Sequence, residues 1–231
     1  MDDDALVATR RSLHALAEQV LAPLRVQATG NEIALQVRPQ GFGTPDLPEG
    51  GWVGVCGTDV VHVAPDGARM AAAITSLRAA ARFVGLAEEV AALLTEEPLE
   101  IHAGAAAVLA DTWARGEQAL AALLADAAAG DDPSPIHLWP EHFDIAAELG
   151  AGALRATYGV SPGDDDHEEP YAYIGPWTTP ATTGPATFWN AVGFTGAQRP
   201  ADDPDEILAF FREGRRLITG QPPRPPAARG G

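Results

Sequence analysis

The strongest constraint on this chain lies between Ile136 and Trp177, where apolar and polar residues alternate in two successive runs. In the first, Phe143, Ile145, Ala147 and Leu149 fall on one face, and His142, Asp144, Ala146 and Glu148 on the other. In the second, Leu154, Ala156, Tyr158 and Val160 oppose Arg155, Thr157 and Gly159. Period-two patterning predicts half-buried strands over 142–149 and 153–160. A one-residue slip would turn every apolar side chain to the wrong face, so only registers that match the faces are allowed. Pairing Leu149 with Leu154 sets Ala147 against Ala156, Ile145 against Tyr158 and Phe143 against Val160. It also puts Glu148 opposite Arg155, a favourable cross-strand pair. A third strand follows at 171–175, and the long acidic connection leaves its register open.

The rest of the chain supplies helices and further strands. An apolar stripe predicts a helix over 5–22, closed or kinked by Pro23. Alternation predicts a strand at 32–38, and strands at 52–56 and 60–63 flank a Gly57-Thr58 turn. The Pro/Gly-rich segment between 39 and 51 reads as turns with Phe42 as an anchor; Gly41-Phe42-Gly43 lacks the lysine and following helix of a phosphate loop. Helices are expected at 75–84, at about 87–95 and at 104–128. A last helix at 204–218 has Asp203 as its cap and Pro204 in its first turn. Residues 176–200 read as irregular, and 220–231 as a disordered tail. The expectation is an α+β protein: antiparallel sheet with flanking helices, one domain over 1–219, and 130–135 as the candidate break between subdomains.

Charge and composition narrow the function classes. The net charge is −17 and every one of the 15 basic residues is arginine. Nucleic-acid backbones and anionic lipid surfaces are repelled by such a chain. Nothing approaches a membrane-spanning apolar run, and the acidic start MDDDALVATRR lacks the features of a secretory leader. The single cysteine, Cys56, allows no disulfide within the chain and suits a cytoplasmic setting. A chain of 231 residues buries roughly 70% of its unfolded surface and needs no staple.

Candidate chemistry gathers around the strand pair. His142 and Asp144, two residues apart on one strand, are expected to point the same way. The connection Gly163-Asp164-Asp165-Asp166-His167-Glu168-Glu169 packs five carboxylates into six positions, which calls for water, a cation or arginine nearby. His142, His167 and Asp144 are the candidate catalytic residues, able to act as a general acid–base set. With Glu169 the same residues form a two-histidine, carboxylate set of the kind that holds divalent Fe, Mn or Zn. Trp139, Tyr171, Tyr173, Trp177 and Trp189 are candidate pocket walls, with Arg155, Asp164 and Glu169 as polar handles for a small-molecule ligand. The competing reading is a non-catalytic binding or assembly protein, with the acidic run a solvated hairpin connection and this face open to a second copy in a homo-oligomer.

The segments LWPEHFDIAAELG and SPGDDDHEEPYAYIGPW carry a resemblance as well. The pair resembles a family of uncharacterised bacterial proteins in which an LWPxHFDxA strand precedes an SPGDxxxxEPYxYxxPW segment. The GFGTP segment and the ITSLRAAARFVG helix are similar to such proteins too. The resemblance implies a cytoplasmic α+β protein and no particular activity or cofactor. It also implies that His142, Asp144, Gly163, Asp164, Glu169, Pro170 and Tyr171 belong to one unit.

Overall fold

A computed structural model describes residues 3–178 and 187–220. The α+β class is as expected, but the strands divide between two antiparallel five-stranded sheets. The first contains β1 (Gln36–Arg38), β2 (Gly41–Gly43), β3 (Trp52–Cys56), β4 (Asp59–Val63) and β5 (Arg69–Ala73), in that order. The second contains β6 (His137–Trp139), β7 (Asp144–Leu149), β8 (Ala156–Ser161), β9 (Tyr171–Pro176) and β10 (Ala197–Pro200), also consecutive. An isolated Leu35–Leu138 bridge, with 2.9 Å hydrogen bonds in both directions, links the β1 and β6 edges.

The N-terminal helix runs farther than its proline suggests. α1 (Asp3–Leu16) passes through a π-turn (Ala17–Leu21) into α2 (Ala22–Thr29). In the π-turn the Ala22 amide bonds the Ala17 carbonyl, five residues back, so the helix absorbs Pro23 in the first turn of α2. α3 (Leu77–Val84) is capped by the Ser76 side chain, which accepts from the Ala79 amide, and closes on left-handed Gly85. α4 (Glu88–Ala91) is shorter than the segment expected at 87–95, and α5 (Ala103–Ala125) forms as expected. α6 (Pro204–Thr219) is capped by the Asp203 carboxylate, which accepts from the amides of Asp205 and Glu206. Asp203→Ala should therefore lower stability by about 1 kcal/mol in urea denaturation. The tail expected over 220–231 falls, beyond Gly220, outside the described residues.

α5 packs against both sheets. Its Trp113 meets Phe42 of β2 and Phe143 edge to face at 5.4 and 4.9 Å, and the Trp113 indole N–H donates to the Phe143 carbonyl. Both sheets share one continuous apolar cluster around this contact. α5 and α6 cover one face of the second sheet, burying Ile145, Ala147, Leu149, Tyr158, Val160 and Ile174. No helix among the described residues is long and apolar enough to cross a membrane.

Several expectations need correction. Leu149 pairs with Ala156 and Ile145 with Val160, a two-residue shift from the expected register. Such a shift preserves the faces. It lengthens the connection, which carries a 3-10 turn at Gly152–Leu154 and leaves Leu154 exposed. Arg155 explains the shift. Its guanidinium donates to Glu148 (2.7 Å), to the Gly150 carbonyl (3.1 Å) and to the carbonyl and carboxylate of Asp132 (3.0 and 3.1 Å). Glu148 and Arg155 thus pair as expected, but across a loop; Glu148 stands opposite Thr157 in the ladder.

His142 is also not on the strand. Residues 140–143 form a turn in which the Phe143 amide donates to the Trp139 carbonyl at 2.7 Å and Phe143 takes φ +55°. The segment read as a strand from 32 is paired as β1 only over Gln36–Arg38. Gly41–Gly43, read as turn, is paired as β2, and within 176–200 the segment Ala197–Pro200 is paired as β10.

Candidate functional site

Strand alternation sends Tyr171 and Tyr173 of β9 to the face of the second sheet opposite α6, while Ala172 and Ile174 enter the core. The β8 residue paired with Tyr173 is Gly159. A Cβ there would lie 2.4 Å from Cζ of Tyr173. The missing side chain lets the phenol ring lie across β8 and its hydroxyl donate to Oδ2 of Asp144 on β7.

Asp144 is buried, and among the described residues its other carboxylate oxygen, Oδ1, has no hydrogen-bond partner. Trp139, half-buried on β6, stands opposite it in the ladder. Burial raises the Asp144 carboxyl to about 6; the Tyr173 hydroxyl, nearby His142 and the residue's own backbone amide pull the other way. Burial and the adjacent carboxylate push the Tyr173 hydroxyl well above its ordinary range, so Tyr173 is a donor at neutral pH.

A second carboxylate–phenol pair lies beside the first. Tyr171 donates to Oδ2 of Asp164 at 2.6 Å, and the Tyr171 and Tyr173 rings are 6.3 Å apart. Oδ1 of Asp164 accepts from the amides of Asp166 and His167, both at 2.8 Å, which folds the acidic run back on itself. Arg10 of α1 then fastens this loop. Its guanidinium donates to the carbonyls of Asp164 and Glu168, each at 2.8 Å, and burial lowers its pKa. Gly163, at φ +97°, makes this approach feasible: a Cβ would sit 2.3 Å from Arg10 Nη1. Arg11 pairs with Asp165 on the surface at 2.9 Å.

The expected site residues therefore separate into groups. Asp144, Tyr173, Tyr171, Asp164 and His167 are linked by hydrogen bonds and ring contacts, with His167 and Tyr171 rings 4.9 Å apart. His142 is exposed in the turn before Asp144. Nδ1 of His167 lies 3.0 Å from the Glu169 carbonyl, while the Glu169 residue itself is exposed. Arg155 and Trp177 form a separate cluster with Glu148, the guanidinium 5.2 Å from the indole centroid. Glu148 lies four residue steps along β7 from Asp144, roughly 13 Å of strand. Trp189 stacks edge to face on Phe188, which belongs with Phe210 of α6. Among the described residues, no group of three His, Cys, Asp or Glu is placed to hold a metal ion.

Arg10 and Gly159 build the site without standing among the residues the sequence marks; Gly163 does stand among them, through the resemblance. The acidic run carried the signal for Arg10, since so many adjacent carboxylates demand a positive partner. Comparisons with family models, with curated proteins and with solved structures find no match to this chain.

Proposed function

We propose that the protein binds a small ligand on the outer face of the second sheet, through Asp144, and that the ligand offers this carboxyl a hydrogen-bond donor. The observation that carries the reading is the unpartnered Oδ1 of a buried carboxylate. Leaving such an atom unpaired costs about 1–3 kcal/mol, and folds keep that kind of cost where function uses it. Tyr173, Tyr171 and Trp139 flank Asp144 and supply apolar surface around the polar contact. A carboxyl titrating at about 6 also suits proton transfer near neutral pH, which favours a second reading of Asp144 as a general acid–base.

The test is thermal unfolding against a panel of small amides, amidines and amines, run on the wild type, Asp144→Asn and Tyr173→Phe. At a hundredfold excess over Kd, a ligand should stabilise the wild type by about 2.7 kcal/mol. The same ligand should lose most of that effect in Asp144→Asn. Identical shifts in all three proteins would remove Asp144 from the binding site.

A further inference from the structure

We infer that the groove between α2 and the α3–α4 connection is a separate binding site for a small amphiphilic cation, an apolar body carrying one ammonium group. The cavity holds about 600 Å³, and its walls include Ala22, Pro23, Val26, Ile33, Leu86 and Val90. That volume lies within the range of pockets that enclose small organic ligands. Its polar lining is Glu18, Gln27 and Glu141.

Gln27 is already committed. Its side-chain amide donates to the Gly85 carbonyl at 3.1 Å and accepts from the Ala87 amide at 2.8 Å, holding the far wall in place. Glu18 and Glu141 are exposed, and their carboxylates are different. Among the described residues neither has a hydrogen-bond or ion-pair partner, and no arginine or histidine lines the cavity. Glu18 projects from the π-turn, a helix irregularity that recurs at functional sites. Glu141 comes from the turn between β6 and β7. An apolar groove whose uncommitted side-chain polar lining, among the described residues, is two exposed carboxylates selects for a positive ligand and against a negative one.

Three probes with one skeleton test this: 4-phenylbutylamine, 4-phenylbutyric acid and 4-phenylbutan-1-ol, titrated by calorimetry at pH 7. The amine should bind about tenfold more tightly than the acid, with the alcohol between them. The double variant Glu18→Gln/Glu141→Gln should erase the preference while keeping alcohol affinity. Val26→Trp, which fills the cavity, should abolish binding of all three. Asp144→Asn should change none of these affinities; loss of amine binding there would move the cation to the sheet site and overturn the groove assignment. Equal binding of amine and acid, or an amine preference that survives the double variant, would overturn it as well.

Discussion

Arg10→Ala is expected to lower the free energy of unfolding by about 3–5 kcal/mol, measured by urea denaturation at neutral pH. The side chain is nearly fully buried at 4% exposure, and it supplies donors to two carbonyls of the acidic loop. Removing it strands those carbonyls, leaves a void beside Gly163 and takes away a positive charge that attracts Asp164. Arg10→Lys should recover only part of the loss, because an ammonium cannot span two acceptors as a planar guanidinium does. The loop between Gly163 and Pro170 should become sensitive to proteases in Arg10→Ala, while α6 at the far face stays protected. If Arg10→Ala melts within 0.5 kcal/mol of the wild type, the loop is held by its own turns and the clamp is incidental.

That clamp marks a boundary in what the sequence discloses. The faces of β7 and β8 could be read from alternation, since any register that buries the apolar set differs from another by an even step. The choice between two such registers is not readable from the strand pair alone, because Arg155 joins Glu148 of β7 to Asp132 and Gly150, which lie outside the two strands. The same limit applies to His142. Its period-two spacing from Asp144 is sound, but the turn closing on Trp139 puts Phe143 at positive φ and breaks the alternation one residue early. Three- and four-residue strands such as β2, β6 and β10 carry too little pattern to separate from turns. The helices were more legible: Ser76 and Gly85 bound α3, and Asp203 and Pro204 open α6, as local capping chemistry dictates. At the site, aromatic and carboxylate side chains were visible as candidates. Their partners were not, because Gly159 contributes by having no side chain and Arg10 lies more than a hundred residues away.

Asp144→Asn is expected to reverse the usual effect of altering a buried, hydrogen-bonded carboxylate and to stabilise the protein at pH 8. Its folded-state pKa, about 6, lies above the ordinary carboxylate value of 3.8, so the native state holds this proton more tightly than the unfolded chain does. Below about pH 4 the carboxyl is protonated in both states and imposes no charge penalty. As pH rises from there through the folded pKa, the unfolded chain releases the proton first, and native stability falls by on the order of 3 kcal/mol. Asparagine cannot ionise, yet its carbonyl still accepts from the Tyr173 hydroxyl. The stability difference between Asp144→Asn and the wild type should therefore move by on the order of 3 kcal/mol in favour of asparagine between pH 4 and pH 8, most of it before pH 7. The other carboxylates are common to both proteins, so their pH dependence cancels in the difference. Paired urea titrations across that range measure it directly. A flat difference would mean that Asp144 stays ionised throughout, and that Oδ1 has a partner in solution. A full shift that shrinks when a ligand is added would show the ligand supplying Oδ1 with its missing donor, because a donor to the ionised form lowers the folded pKa toward its ordinary value.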